Sequence, residues 1–162
     1  MSIVWENKLQ RDEFFMRYAL AAAQKAYDIG EVPVGAVLVK DNMVVAEGYN
    51  QSITTHDASA HAEMQALRAA GLSVENYRLP DCELYVTLEP CLMCAGAMFH
   101  ARVSRVVYAT PDPKTGVAGS VLNLFDEARL NHHATVEGGV LLEEAKALLQ
   151  QFFRERRQIG KA

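Results

Sequence analysis

Two pairs of residues in this chain have types and spacings suited to metal chemistry. Cys91 and Cys94 stand three positions apart directly behind Pro90, and His61 and Glu63 stand two apart well upstream. Proline suits the first turn of a helix, where its missing N–H costs nothing. Residues three apart share a helix face, and the positive end of the helix dipole favours thiolates, the form that binds a metal. His61, Cys91 and Cys94 together make three ligands. Three protein ligands plus one open position is the pattern of a catalytic zinc, because structural sites are closed with four. Glu63, two residues after a ligand, is then the candidate general acid/base.

Each of these residues also has a plainer reading. A CxxC at a helix start could be a redox pair, but such a pair needs no upstream HxE. Cys82 could close a structural zinc site as fourth ligand, although at the head of a strand it reads as a small buried hydrophobe. Glu63 alone would be a solvated helix carboxylate. His100 reads as a packed helix histidine, His56 as a loop or substrate-edge residue, and His132 and His133 as surface residues or RNA contacts.

The elements that must position these groups are legible in the hydrophobic pattern. Phe15, Tyr18, Ala19, Ala22 and Ala26 fall at helical spacing between about Asp12 and Tyr27, and Gly30 supplies a stop. "VGAVLV" reads as a buried strand, and an Asp41-Asn42 turn leads to a second strand, "MVVAEGYN". "SAHAEMQALRAAG" predicts a helix with Ser59 as N-cap and Gly71 just past its end. "ELYVTL" and "RVVYA" are further strands, with the helix "CLMCAGAMFHA" between them. A loop with Pro111, Pro113, Gly116 and Gly119 follows, then a weak strand near "ATVEGGV" and a helix from about Leu142 to Arg157. Strands alternating with helices predict an α/β domain with helices packed on a central sheet, and the opening hairpin makes that sheet mixed. In such sheets ligands gather outside the carboxyl ends of the strands, where the two helix starts can meet.

Composition bounds the rest. The chain has 162 residues, half of them apolar and 22% charged, which reads as one domain spanning 1–162 with an ordinary globular core. The opening residues read as no secretory signal, and no apolar run reaches the length of a membrane span. Three cysteines, two in a CxxC, point to a reducing cytoplasm. A net charge of −4 argues against coating nucleic acid by bulk electrostatics, but leaves room for a local basic patch.

HAE followed by PCxxC is the signature of zinc-dependent nucleobase deaminases. The chain resembles, more closely, the bacterial tRNA-specific adenosine deaminases of the cytidine/deoxycytidylate deaminase superfamily. The resemblance rests on "EVPVGAVLV", "EGYN", "AHAEMQALR", "NYRL", "LYVTLEPCLMCAGAM", "PKTGVAGS" and "FFRERR", in order from about Glu31 to Arg157. It implies a three-layer α/β/α fold around a mixed five-stranded sheet, one zinc per subunit and a homodimer. It also implies hydrolysis of the wobble adenosine of a tRNA anticodon stem-loop to inosine. In that reading His61, Cys91 and Cys94 hold the zinc, which acidifies a water, and Glu63 moves the protons. Asn50 bonds the flipped base, backbone near Ala60 and Glu89 holds reacting atoms, and Val34 and Leu88 wall the pocket. Asp112 and Lys114 contact the target nucleotide's sugar and backbone, while Arg154, Arg156 and Arg157, with Lys161, form a basic patch for RNA. A solvated helix end is the plainer reading of that patch, and Phe152 and Phe153 read equally as core or stacking platform. The family loop reads close to "NRPxxxxDPTAHAE", whereas this chain has "NQSITTHDASAHAE", so Gln51, Ser52 and Ala58 replace an arginine and two prolines. Deamination of a free base or nucleoside by the same zinc cassette, and a non-catalytic zinc-stabilised RNA-binding subunit, are the alternatives.

Overall fold

In the computed structural model, which describes residues 3–160, the first two strands form the expected hairpin. Gly35–Lys40 (β1) and Met43–Tyr49 (β2) pair antiparallel around Asp41 and Asn42, both at positive φ. Short Asp and Asn side chains tolerate that left-handed region, as a two-residue hairpin turn requires. β1 also pairs antiparallel with Glu83–Leu88 (β3). β3 pairs parallel with Arg105–Thr110 (β4), and β4 parallel with Thr135–Gly138 (β5). The strand order is β2-β1-β3-β4-β5, the mixed five-stranded sheet expected from the sequence.

Helices cover both faces. Phe15, Met16 and Ala19 of Lys8–Asp28 (α1) pack on Val37, Val39, Tyr85 and Val107, beside Ala145 of Leu142–Ile159 (α4). On the other face, Ala62, Ala66 and Ala70 of Ala62–Val74 (α2) join Cys94, Ala95 and Met98 of Leu92–His100 (α3). These cover Ala36, Leu38, Leu84, Val86 and Val106. α2 lies flush on β2 at Gly48, where a Cβ would sit 2.3 Å from the carbonyl oxygen of Ala62. A side chain there would push the helix off the strand and displace the site it begins.

The boundaries differ from the pattern reading in instructive ways. α1 starts four residues before Asp12, because the Asn7 side chain accepts the Gln10 N–H (2.9 Å) and caps an earlier turn. α2 is capped at His61 rather than Ser59 and runs through Gly71 to Val74. The Ser59 hydroxyl is turned back to donate to Asp57 Oδ1 (2.7 Å), while Asn50 Oδ1 accepts the Ala62 N–H (2.8 Å) from outside the helix. A distant strand end thus caps α2, which spacing along the sequence cannot show. A short 3₁₀ turn, Leu124–Asp126, interrupts the long loop before β5.

At the amino ends of β3 and β4, far along the strands from the metal-type residues, an ionic cluster ties α1 to the sheet. Arg105 donates to Asp12 at 2.8 and 2.6 Å and to Glu83 at 2.7 Å, and Arg11 grips Glu83 at 2.5 and 3.0 Å. The Tyr85 hydroxyl donates to Asp12 (2.8 Å). Burial raises both carboxyls, but the hydrogen bonds from Arg105 and Tyr85 to Asp12, and from Arg11 and Arg105 to Glu83, outweigh it. Both end below the usual carboxylate range.

Candidate active site

The carboxyl end of β3 leads through Glu89 and Pro90 into α3, whose N-cap is Cys91. The carboxyl end of β2 leads through Asn50 and an exposed loop to His61, the N-cap of α2. Neither cap side chain is spent on capping. Both are therefore presented at the positive end of a helix.

The Nδ1 of His61 lies 3.6 Å from Cys91 Sγ and 3.5 Å from Cys94 Sγ, and the three donor atoms all fall within 4.8 Å of one another. Zn–S and Zn–N bonds of ordinary length in a tetrahedron put nitrogen and sulfur about 3.6 Å apart. The donor set and its spacing therefore fit a zinc ion. Cys94 donates a hydrogen bond to Cys91, and together with His61 this holds the Cys91 thiol down to about 4; the same bond and burial push Cys94 up. The His61 ring is raised by its bond to Cys91. Cys82 is buried in the core at the head of β3 and is not one of the three.

Glu63 sits in the first turn of α2, only 4% exposed, and burial pushes its carboxyl up to about 7. It shares a cavity of about 140 Å³ with Val34, Asn50, His61, Leu88, Glu89, Cys91 and Asp112, and with Val32 and Thr115, which sequence reasoning missed. The Asn50 Oδ1 is held by the Ala62 N–H, so its amide N–H₂ is the end free for a ligand. Both backbone groups of Ala60 are engaged, its N–H on Asp57 and its carbonyl by Gln51.

The cavity opens into a groove of about 1170 Å³ between the 110–115 loop and α4. Val32, Leu88, Asp112 and Thr115 line both. Lys114, Arg154 and Arg157 line the groove, as does Lys146, which the sequence did not single out. Arg156 is placed apart from them: it donates to the Gly30 carbonyl (2.6 Å) and lies over the Phe152 ring. The aromatic pair divides, with Phe152 buried in the core and Phe153 exposed along the groove. Lys161 lies outside the described residues. His100 is exposed on the last turn of α3 rather than packed. His132 binds the Val103 carbonyl through Nε2 (2.8 Å) against Phe99, while His133 is exposed.

The loop between Asn50 and His61, which carries Ser52 and Ala58 at the positions where the resemblance leads one to expect prolines, is held by side chains. Glu31, 2% exposed, accepts from the N–H groups of Ile53 (3.0 Å) and Thr54 (2.7 Å) and from the Thr54 hydroxyl (2.7 Å). Asp57 takes the Ser59 N–H (2.8 Å), and the Gln65 amide reaches Gln51 (2.7 Å). Acceptor-only carboxylates can gather several backbone N–H groups of a tight loop. A lone glutamate between Gly30 and an apolar run carries no periodic signal, which is why Glu31 escaped the pattern.

A model of the cytidine and deoxycytidylate deaminase zinc-binding region matches residues 9–110. The tRNA-specific adenosine deaminase of Haemophilus influenzae is 51% identical over 148 residues, covering 91% of this chain and 86% of that protein. A structure from a study of A-to-I editing by tRNA:A34 deaminases at the wobble position of transfer RNA superposes with a TM-score of 0.81. It is 40% identical, across 84% of this chain and 99% of that one. The guanine deaminase of Bacillus subtilis is 42% identical but aligns over only 61% of this chain and 64% of its own, with a TM-score of 0.58. The chain belongs to the cytidine and deoxycytidylate deaminase zinc-binding family and, within it, to the tRNA-specific adenosine deaminases.

Proposed function

We propose that this chain hydrolyses the wobble adenosine of a tRNA anticodon to inosine and releases ammonia. The observation that carries the proposal is the clustered His61, Cys91 and Cys94 donor set, with His61, Cys91 and the buried Glu63 lining one cavity that opens into a groove bearing cationic side chains. One zinc ion per chain, held by those three residues, supplies Lewis acidity that makes water a nucleophile near neutral pH. Glu63 takes a proton from the water and delivers it to N1 of adenine as the water oxygen bonds to C6. It then moves a proton to the exocyclic amine, which leaves as ammonia. Burial suits Glu63 to this exchange, because a carboxyl pushed up to about 7 gives and takes protons near neutrality.

The free Asn50 amide bonds the flipped base between Val34 and Leu88; with both Ala60 backbone groups engaged inside the loop, the backbone carbonyl of Glu89 is the one left to hold the reacting atoms. A base inside a stack could not enter a cavity this size, so the substrate displays its base in a loop. Asp112 meets the target nucleotide's sugar where cavity and groove join, and Lys114 meets the backbone from the groove beside it. Arg154 and Arg157 continue the cationic track along α4. Arg156 belongs to the same basic run but supports it from behind, through Gly30 and Phe152. The resemblance extends the proposal to a single-domain homodimer acting in the cytoplasm. No helix among the described residues is long and apolar enough to cross a membrane.

The test is mass spectrometry of nucleosides from a tRNA pool incubated with the zinc-loaded protein, run beside free adenosine and free guanine. Inosine at the wobble position, absent with a Glu63→Ala variant that keeps its zinc, is the expected result. Turnover of free guanine or adenosine with none on tRNA would overturn the proposal.

A further inference from the structure

We infer that Glu89 is a positioning residue whose side chain ties the substrate-facing loop 111–120 to the turn that carries Cys91. Its carboxylate is 2% exposed and accepts from the N–H groups of Asp112 (3.0 Å), Ala118 (2.8 Å) and Ser120 (3.2 Å), and from the Ser120 hydroxyl. Four donors from one loop converge on a group that offers about four lone-pair sites and no proton. The loop returns the contact at Pro90, whose carbonyl accepts the Val117 N–H (3.0 Å). Gly116 packs flat against the carboxylate: a Cβ there would lie 2.3 Å from Glu89 Cδ and 2.6 Å from the Asp112 carbonyl oxygen.

The first of those bonds reaches the site directly. The Asp112 side chain accepts from the Lys114 N–H (3.0 Å), the Thr115 N–H (3.3 Å) and the Thr115 hydroxyl (2.7 Å), so placing Asp112 places the following turn. Asp112 and Thr115 line both cavity and groove. Glu89 therefore sets where the lip of the cleft stands relative to the metal ligands, and it does so through loop donors that occupy both of its carboxylate oxygens.

Glu89→Gln tests the role with little change in shape. The glutamine oxygen can keep the Ala118 and Ser120 N–H groups, and its NH₂ can donate to the Ser120 hydroxyl. That NH₂ then faces the Asp112 N–H, and the tie to Asp112 alone is lost. The inference rests on the proposed tRNA reading, and the experiment keeps the two separable. Steady-state deamination of an anticodon stem-loop by the zinc-loaded protein is measured together with zinc content and amide hydrogen exchange.

Wild type should protect the amides of Asp112, Ala118 and Ser120. Glu89→Gln should lose protection at Asp112 while retaining zinc and the protection of β3 and β4. KM for the stem-loop should rise by about tenfold or more, with kcat within about threefold, because the lost ordering weakens ground-state and transition-state binding alike. Where Glu89→Gln fails to fold, Ser120→Ala, which removes one donor, and Gly116→Ala, which presses on the carboxylate, must each raise KM more than they lower kcat. An unchanged KM in a folded variant overturns the inference, as does loss of zinc or an equal fall in kcat and kcat/KM. A wild type inactive on the stem-loop overturns the tRNA reading instead, and exchange at Asp112 still judges the tie.

Discussion

Replacing Arg105 with leucine should unfold this protein more easily without harming its chemistry, and by an amount that the ionic cluster lets one work out. Asp12 has a side chain only 3% exposed; without Arg105 it keeps the Tyr85 hydroxyl and a distant Arg11 at 3.9 Å. Glu83 keeps its close Arg11 contact at 2.5 Å. One buried carboxylate, not two, is therefore left poorly compensated. Breaking a buried pair from one side typically costs ~3–5 kcal/mol, and Arg11 places this case near the lower end, about 3 kcal/mol. At ~2–4 °C per kcal/mol for a chain of this size, Tm should fall by about 6–12 °C.

The loss should also depend on pH. In wild type, the lowered carboxyls contribute stability that is present above their unfolded pKa values, near ~4, and is lost as pH falls through the folded values. In Arg105→Leu, burial of Asp12 is no longer opposed by the guanidinium, so its carboxyl rises and the variant gains relative stability on acidification. The gap should be widest at neutral pH and close between about pH 5 and pH 3. Urea unfolding at fixed zinc concentration measures it, since a ligand that binds only the native state shifts the result by mass action. Zinc content and low-temperature turnover should match wild type, because the cluster lies at the opposite strand ends from the site. A gap below about 1 kcal/mol at neutral pH would place the cluster with surface pairs. A gap that does not narrow with acid would refute the assignment to Asp12.

The proposed zinc site predicts that Cys91→Ala or His61→Ala loses most of the zinc by elemental analysis, whereas Cys82→Ala retains it; zinc lost from the Cys82 variant would indicate a closed structural site. Glu63→Ala should retain zinc and stem-loop affinity while single-turnover rates drop by about a hundred- to ten-thousand-fold, and near-normal turnover would remove Glu63 from proton transfer. Arg154→Ala with Arg157→Ala should weaken stem-loop binding and lower the salt slope by about 0.7 per lost phosphate contact, without altering base choice, as titrations at several salt concentrations would show. Arg156→Ala, whose native partner is the Gly30 carbonyl, should instead lower Tm and leave that slope close to wild type.

The chemistry of this protein is written locally. HAE and PCxxC each place their functional side chains within about one helical turn, so residue type and spacing already point to a His/Cys/Cys donor set with a neighbouring carboxylate, and the fold brings those three donors together. The strand and helix order is legible for the same reason, because periods of two and of about 3.6 are properties of short segments. Tertiary structure decided what depends on distant partners. Asn50 caps α2 across twelve positions of chain, which moved the cap from Ser59 to His61. Arg154 and Arg157 face the groove while Arg156 turns to Gly30, although the three share one short run. Glu31 and Glu89 became buried acceptors for whole loops, a role invisible in their own neighbourhoods. A buried charge is stable only where hydrogen-bond partners converge on it, and convergence is a property of the folded chain rather than of any segment.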